Sequence, residues 1–302
     1  MVDLNKIGTE QRNKNTMSID RASTSEIVRL INEEDKTVAI AVEKALPQVT
    51  LAVDAIVRSF NNDGRLIYIG AGTSGRLGIL DAVECRPTFS VSDDKVQGLL
   101  AGGLKAMTKA VEGAEDNREL AIKDLQEIGL NKNDIVIGIA ASGRTPYTVS
   151  GVKYAKEFGC ATGCVTTSPN SELASVVDYP IEAITGAEPI TGSTRMKSGT
   201  AQKMICNMLS TAAMIKMGKV YENLMIDMQP TNEKLVKRAQ RIISQAASVS
   251  NEVADVTLKK YKSVKKTILS LLTKIDDIEK IDKLLDDSKG NIHLALKAGK
   301  ND

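Results

Sequence analysis

The chain contains the stretch Leu66-Ile-Tyr-Ile-Gly-Ala-Gly-Thr-Ser-Gly-Arg-Leu-Gly78, which joins an apolar run to a glycine-dense turn. The apolar run Leu66–Ile69 predicts a short buried strand, and apolar residues then recur at helical spacing. A strand, a glycine turn and a helix together direct backbone N–H groups and a helix N-terminus at an anion. Thr73 and Ser74 add hydroxyl donors, and the carboxylate of Glu84 follows. The stretch therefore predicts a phosphate site with a potential acid beside it.

Further apolar runs indicate strands, and helical patterns follow most of them. The strand candidates are Leu66–Ile69, Val96–Leu100, Ile135–Ala140, Gly163–Thr166 and Tyr179–Ile184. The helical candidates are Ser74–Val83, Leu104–Ala110, Asn117–Ile128, Pro146–Phe158 and Ser171–Val176. This alternation predicts an α/β fold with a doubly wound parallel sheet covered by helices on both faces. Ligands of such sheets bind beyond the carboxyl ends of the strands, where the glycine turns lie.

Helical patterns also flank the predicted sheet. Residues 1 to about 22 are polar and aperiodic and predict an extended arm. Helices are expected after the N-cap Ser23, over Asp35–Leu46, from Pro47, over Gly199–Met217 and from Thr231 to about Asp255. We therefore expect an N-terminal arm with helices over residues 1–60, a sheet domain over 61–235 and a small helical module over 236–302.

Composition argues against several classes of protein. The 302 residues include 40 Lys and Arg and 38 Asp and Glu, and a net charge of +2 gives no reason to expect a nucleic-acid or membrane partner. The four cysteines are scattered and there is one histidine, His293, so we expect no metal site, no disulfide framework and a packing or surface role for His293. No apolar run approaches the ~18 residues that span a bilayer, and no signal peptide is visible, which predicts a cytoplasmic protein.

A second turn repeats part of the first. The tripeptide Ser74-Gly-Arg76 recurs as Ser142-Gly-Arg144, again after a predicted strand. The first turn alone matches Gly-x-Gly-x-x-Gly, which leaves a dinucleotide-binding fold open. Such a fold needs one glycine turn for one pyrophosphate. Two hydroxyl-bearing turns at neighbouring strand ends instead suit a single phosphate held from two sides.

Two further features extend the predicted site. The polar segment Glu188–Thr200 contains several hydroxyls together with Arg195 and Lys197, and we expect it to form another wall of the anion site. Ser198 in this segment is a candidate N-cap for the following helix. A second carboxylate, Glu115, lies at a break between two helical stretches. With one histidine in the chain, acid–base chemistry has to fall to carboxylates, lysines or tyrosines.

These motifs together resemble those of the N-acetylmuramic acid 6-phosphate etherase family. The resemblance rests on Ile69–Gly78 continued through Asp81–Cys85 and Pro87–Phe89, on Ala110–Asn117, on Ala141–Tyr147 and on Thr191–Lys197, with further likeness in Thr9–Asn13, Ile19-Asp20, Ser23-Thr24 and Gln229–Asn232. It covers residues 5 to 235, and the tail is similar only in its helical character. Arg86 departs from the pattern, because proline is expected there; the departure bears on the local loop geometry and hardly at all on the chemistry.

The resemblance implies a sugar isomerase (SIS) domain, a homodimer, and neither a metal nor an organic cofactor. It implies a carbon–oxygen lyase of amino-sugar catabolism and peptidoglycan recycling, which cleaves the D-lactyl ether of N-acetylmuramic acid 6-phosphate to N-acetylglucosamine 6-phosphate and D-lactate. The residues that match the family's catalytic glutamates are Glu84, the proton donor, and Glu115. The expected substrate-binding residues are Gly72, Thr73, Ser74, Ser142, Gly143, Arg144, Thr145, Ser193, Thr194 and Lys197.

The chemistry that this reaction requires fits two carboxyl groups. In the open-chain sugar the C1 aldehyde acidifies the C2–H, so we expect Glu115 to remove that proton and Glu84 to protonate the lactate oxygen leaving C3. Burial and the nearby phosphate are expected to keep Glu84 protonated. Two other functions stay open: a regulator that senses sugar phosphates, as the related glucokinase regulatory protein does, and an aldose–ketose isomerase, whose product would be a ketose without lactate.

Overall fold

A computed structural model describes residues 8–228 and 232–299 of the chain. It divides into two compact units, of which the first comprises Met1–Val83 and Asp93–Ser210 and the second Glu84–Ser92 and Thr211–Asp302. Helices α3 (Gly72–Phe89) and α7 (Lys197–Lys216) begin in the first unit and continue into the second. The domain boundaries at residues 60 and 235 stay predictions.

The first unit contains a five-stranded parallel sheet, as the alternating pattern predicts. Its strands are β1 (Leu66–Gly70), β2 (Val96–Leu100), β3 (Ile135–Ile139), β4 (Ala161–Thr166) and β5 (Tyr179–Glu182). Their spatial order is β2-β1-β3-β4-β5, and every neighbouring pair is parallel. All residues of β1 and β3 are buried, which is typical of strands covered on both faces. The prediction of a doubly wound parallel sheet is therefore confirmed.

The strand order reverses direction between β1 and β3. These two strands are neighbours, with Gly70 opposite Ile139. Helix α3 packs closely on Tyr68 through Gly78, whereas the helix that follows β3 packs on Ile69 through Gly151. Since Tyr68 and Ile69 point to opposite faces of the sheet, the two helices lie on opposite faces. A crevice at the carboxyl ends of two such strands is where doubly wound sheets bind their ligands.

The remaining helices of the first unit are α1 (Thr24–Lys44), α2 (Leu46–Asn61), α4 (Arg118–Glu127), α5 (Pro146–Phe158) and α6 (Glu172–Val176). Helix α5 has the predicted bounds, and the Ser23 hydroxyl caps α1 as predicted by accepting from the Glu26 N–H. The predicted boundary at Asp35 is wrong. Helix α1 continues through it because Glu34, Val38 and Val42 extend one buried face at helical spacing.

Residues 8–22 form short 3-10 turns rather than an extended arm. The turns are Gly8–Glu10, Lys14–Thr16 and Ile19–Arg21. The Asn13 side chain donates to the Ala187 carbonyl at 3.2 Å, and the Thr16 hydroxyl donates to the Pro189 carbonyl at 2.8 Å. These hydrogen bonds hold the arm against the segment that precedes α7. The predicted helix over Leu104–Ala110 is likewise a 3-10 helix, Gly103–Met107.

The hydrophobic core of the first unit surrounds the sheet. Ile67, Ile69, Leu125 and Val152 are fully buried in one cluster between the sheet and helices α4 and α5. All four cysteines are buried and pack as small core residues. At the polar edge of this core, the Arg65 guanidinium lies 2.7 Å from the buried Asp134 carboxylate and joins the starts of β1 and β3.

The second unit is mainly helical, as the tail predicts. It contains the hairpin β6 (Val220–Tyr221) and β7 (Leu224–Met225) and the helices α8 (Glu233–Ala247), α9 (Asn251–Tyr261), α10 (Val264–Thr273), α11 (Ile278–Asp287) and α12 (Ile292–Ala298). The single helix predicted up to Asp255 is wrong, because the chain turns at Ser248 (φ +53°) and Ser250 caps a new helix. The start predicted at Thr231 lies outside the described residues. The His293 ring packs on Tyr221, with ring centroids 4.8 Å apart, as its predicted packing role requires.

The lysine-rich segment of this unit has mixed environments. Lys259 and Lys260 are exposed to solvent. Lys265 is largely buried and pairs with Asp227 at 2.8 Å. In the part of the chain that the structure describes, no helix is both long enough and apolar enough to cross a membrane.

Candidate functional site

The two turns that share the Ser-Gly-Arg tripeptide lie at the carboxyl ends of neighbouring strands. The first follows β1 and the second follows β3, and the paired residues Gly70 and Ile139 place them at the same edge of the sheet. Each turn leads into a helix, α3 or α5, so two helix N-termini begin at this edge. Both features favour an anion at the reversal of strand order.

The first turn is fixed to helix α7 by a hydrogen bond between two buried side chains. The Ser74 hydroxyl donates to Oε1 of Gln202 at 2.9 Å. Thr73 packs close to Gly199 in the first turn of α7, so a side chain at Gly199 would contact it. Gly72 has φ of +55°, a left-handed conformation that glycine adopts without a steric penalty. The turn therefore has a defined shape before any ligand binds.

The second turn is closely packed against the start of α6. Gly143 has φ of +62°, and a Cβ added there would lie 2.3 Å from the Ser171 side chain, so the position requires glycine. The Ser142 hydroxyl accepts from the Arg144 N–H at 3.3 Å. Thr145 is the N-cap residue of α5, but its hydroxyl makes no capping hydrogen bond. The hydroxyls of Ser142 and Thr145 are therefore candidate donors to an anion.

A chain of hydrogen bonds joins the second turn to the first turn of α7. The Thr167 N–H donates to the Ala141 carbonyl at 3.0 Å, and the Thr167 hydroxyl donates to the Ser198 hydroxyl at 2.9 Å. The structure thus brings together the two turns and the third polar segment. Ser193 and Thr194 lie in that segment and are half-buried.

The N-terminus of α7 is already occupied by a carboxylate of the chain. Glu188 is fully buried and accepts from the N–H groups of Lys197 and Ser198 at 2.8 and 2.9 Å, and from the Ser198 hydroxyl at 2.7 Å. Ser198 therefore does not cap α7 as predicted, because Glu188 supplies the acceptor. This helix end is not free to bind a phosphate.

Lys197, a predicted substrate-binding residue, is paired within the chain. Its ammonium lies 2.7 Å from the Glu34 carboxylate, and both side chains are buried. It also donates to the Ala187 carbonyl at 3.1 Å. Its charge is therefore already compensated by an acidic residue of α1.

The two predicted catalytic glutamates are both exposed in the single chain. Glu84 lies in α3 and belongs to the second unit. The expected burial of Glu84 is therefore wrong for the single chain. Glu115 lies in the loop before α4, and its carbonyl accepts from the Tyr147 N–H at 2.9 Å in the first turn of α5. This hydrogen bond attaches Glu115 to the helix that the second turn begins.

Two profiles of known domains match the chain. The N-terminal SIS domain of glucokinase regulatory protein matches residues 48–156, and the SIS domain matches residues 106–212. An N-acetylmuramic acid 6-phosphate etherase of Bacillus cereus is 55% identical over 282 residues, which cover 93% of this chain and 96% of that relative. The chain belongs to this etherase family. A Clostridium botulinum etherase is 54% identical over 297 residues, with 98% of both chains covered.

Solved structures similar to this etherase-family chain include two proteins of low sequence identity to it. A phosphoheptose isomerase of Neisseria gonorrhoeae has a TM-score of 0.48 at 17% identity, with 63% of this chain and 98% of that chain covered. The Vibrio vulnificus NanR protein complexed with ManNAc-6P has a TM-score of 0.48 at 14% identity, with 67% of each chain covered. The predicted family and the SIS fold are confirmed by the family members and the domain match.

Two residues of this candidate site are missed by sequence reasoning, Gln202 and Thr167, and Glu188 is named there only as the first residue of the third polar segment. Gln202 is one of several polar residues spread along α7, so no motif singles it out. Glu188 lies nine residues before Lys197, outside the first turn where a capping carboxylate is recognised from sequence, so only the structure shows its role. In the described residues, no group of three or more His, Cys, Asp or Glu side chains is placed to hold a metal ion.

Proposed function

We propose that the chain cleaves the D-lactyl ether of N-acetylmuramic acid 6-phosphate, giving N-acetylglucosamine 6-phosphate and D-lactate. The observation that carries the proposal is the pair of hydroxyl-bearing turns at the ends of β1 and β3, where the strand order reverses. Relatives more than half identical over nearly the whole chain are etherases of this substrate. We further propose a cytoplasmic homodimer in amino-sugar catabolism and peptidoglycan recycling.

The phosphoryl group is bound by donors from both turns. Gly72, Thr73 and Ser74 contribute backbone N–H groups and hydroxyls from the first turn, and Ser142, Gly143, Arg144 and Thr145 contribute those of the second. Charge-assisted hydrogen bonds to an anion are about twice as strong as neutral ones, and two helix N-termini add to them. Ser193 and Thr194 are additional candidates. Lys197 stabilises this edge through its ion pair with Glu34.

The reaction is an elimination followed by an addition, which makes the chain a carbon–oxygen lyase. An alkoxide is a poor leaving group, so the ether oxygen has to be protonated as the C3–O bond breaks. In the open-chain sugar the aldehyde at C1 makes the C2 proton acidic. Loss of the C2 proton and of lactate from C3 forms an unsaturated aldehyde. Water then adds at C3, and a proton returns to C2.

Glu115 and Glu84 supply the proton transfers in this proposal. Glu115 is the base at C2, and Glu84, which the family resemblance marks as the proton donor, protonates the departing lactate oxygen. General acid–base help of this kind contributes typically 10²–10⁴-fold per group. Phosphate binding holds the sugar while these two groups act, so the phosphate-binding residues affect affinity as well as rate.

The test measures D-lactate release from N-acetylmuramic acid 6-phosphate by the native chain and three variants. Glu84→Gln and Glu115→Gln are expected to lower kcat by about 10²–10⁴-fold each, because an amide neither donates nor accepts the transferred proton. Glu127→Gln, on the exposed end of α4, is the matched control and should keep native activity. Normal turnover by either site variant would show that its assigned role is wrong.

A second candidate function is a sugar-phosphate sensor without turnover. The match of residues 48–156 to a domain of glucokinase regulatory protein favours it. The two candidates differ in the same assay, because a sensor binds the sugar phosphate and releases no lactate. An aldose–ketose isomerase would instead form a ketose, which the product analysis detects.

A further inference from the structure

The buried side-chain amide of Gln202 makes a hydrogen bond through only one of its two polar atoms. Gln202 has no exposed surface, and its Oε1 accepts from the Ser74 hydroxyl at 2.9 Å. Its Nε2 is also buried and has no hydrogen-bond partner among the residues that the structure describes. Both residues belong to the first unit. A buried N–H group without an acceptor is unfavourable, so a native protein that keeps one has a candidate functional reason for it.

The hydrogen bond also has a consequence for phosphate binding. A serine hydroxyl has one proton to donate. While Ser74 donates that proton to Gln202, its side chain cannot donate to a phosphoryl oxygen. A phosphate dianion offers only acceptors, so it requires Ser74 to change partner.

We propose that Gln202 is a positioning residue that turns the Ser74 hydroxyl toward bound phosphate; this inference rests on the proposed function. When phosphate binds, the Gln202 amide rotates so that Nε2 donates to Ser74 Oγ. The Ser74 proton is then donated to a phosphoryl oxygen. Ser74 and Gln202 thus share one hydrogen bond without phosphate. With phosphate bound there are two, from Gln202 to Ser74 and from Ser74 to the phosphoryl oxygen.

The amide is the side-chain group suited to this exchange, because it carries a donor and an acceptor on one carbon. A glutamate at position 202 would only accept when ionised, so it would keep the Ser74 proton and add a charge that repels phosphate. A methionine would fill a similar volume without either function. Hydrogen bonds in series also strengthen one another, so a Ser74 hydroxyl that accepts from Nε2 is a better donor.

A double-mutant cycle tests this coupling. Binding of N-acetylglucosamine 6-phosphate is measured by isothermal titration for the native chain, Gln202→Met, Ser74→Ala and the double variant. Gln202→Met is expected to weaken binding about tenfold in the native background, the size of one ordinary hydrogen bond. In the Ser74→Ala background the same change should weaken binding less than about threefold, because the hydroxyl that Gln202 directs is absent.

Two further variants separate this role from packing. Gln202→Glu should bind more weakly than Gln202→Met, and both are checked for folding by thermal unfolding. Gln240→Met is the matched control. It removes an amide of α8 that donates to Asp255 of α9 at 2.7 Å, and its affinity for the sugar phosphate should equal that of the native chain. If Gln202 served only in packing, the sugar-phosphate affinity of the Gln202 variants would instead fall in proportion to their loss of thermal stability.

The outcomes distinguish this inference from the function on which it rests. If the native chain releases lactate but Gln202→Met weakens binding equally with and without Ser74, the positioning role is wrong and the proposed function stands. Equal binding by Gln202→Glu and the native chain would also overturn the positioning role. If the native chain neither releases lactate nor binds the sugar phosphate, both proposals fall.

Discussion

The Lys197 ammonium lies 2.7 Å from the Glu34 carboxylate, and both side chains are buried. The pair joins the start of α7 to α1, and Asn15 also donates to Glu34 at 2.7 Å. Burial raises the pKa of Glu34, but the hydrogen bonds from Lys197, Asn15 and Asn13 outweigh it, so the pKa lies below its ordinary value. This carboxylate therefore stabilises the fold at neutral pH, and that contribution is lost as the pH falls through its lowered pKa.

Lys197→Met should strongly destabilise the first unit. It leaves the Glu34 charge buried without its cation, which costs about 3–5 kcal/mol of unfolding free energy. The control is Lys36→Met, which removes the exposed ion pair Lys36–Glu33 on α1, the helix of Glu34, and should change the stability little. Urea unfolding at neutral pH compares the two. Similar costs for both variants, with a large loss of sugar-phosphate affinity in Lys197→Met, would make Lys197 a direct ligand instead.

Gly143→Ala should lower the unfolding free energy by more than its positive φ angle alone would cost. The control, Gly129→Ala, has nearly the same φ, +61°, with open space around the added methyl group. We expect Gly129→Ala to cost about 1 kcal/mol and Gly143→Ala about 2 kcal/mol more, because its methyl group would overlap Ser171. Denaturant unfolding measures both, and sugar-phosphate affinity should fall only in Gly143→Ala. Equal destabilisation would show that the turn accommodates a side chain.

The proposed elimination predicts a specific isotope pattern in the product. In heavy water, N-acetylglucosamine 6-phosphate should carry deuterium at C2, because Glu115 exchanges the abstracted proton with solvent. In water labelled with oxygen-18, the label should appear in the hydroxyl at C3, because water adds there. Mass spectrometry and NMR locate both labels, and substrate incubated without protein is the control. Retention of the original hydrogen at C2 would contradict a C2 base.

Asp81 should make the chain less stable as the pH rises. The hydroxyls of Tyr68 and Ser210 donate to its carboxylate at 3.0 and 3.1 Å. Burial exceeds the effect of these hydrogen bonds and raises the pKa of Asp81 to about 6. Because this folded-state pKa lies above the unfolded value, the stabilising contribution is fully present below about pH 4 and is lost as the pH rises through about 6.

Asp81→Asn tests this dependence, because asparagine keeps the shape without the charge. Relative to the native chain, the variant should gain unfolding free energy between pH 4 and pH 8, by at most about 3 kcal/mol. The exposed Asp54 provides the control Asp54→Asn, which should show little such gain. A difference between Asp81→Asn and the native chain that stays constant from pH 4 to pH 8 would contradict the raised pKa.

Local patterns predict the sheet because they depend on neighbouring residues alone. The apolar runs at Leu66 and Ile135 give strands buried on both faces, and Pro146 marks the start of α5 at the expected residue. The helix boundaries predicted wrongly lie where a distant contact or a single backbone angle determines whether the helix continues. Helix α1 passes Asp35 because its buried face continues, and the helix expected up to Asp255 ends at the left-handed Ser248.

The sequence by itself determined the parallel sheet, the two Ser-Gly-Arg turns and the family, since each depends on residues close together along the chain. Only the tertiary structure decided which polar groups remain available at those turns. Glu188 occupies the N-terminus of α7, Glu34 neutralises Lys197, and Ser74 donates to Gln202. The physical reason is that a donor, an acceptor or a charge is used by whichever group lies nearest in space, and these partners are 9 to 163 residues apart along the chain.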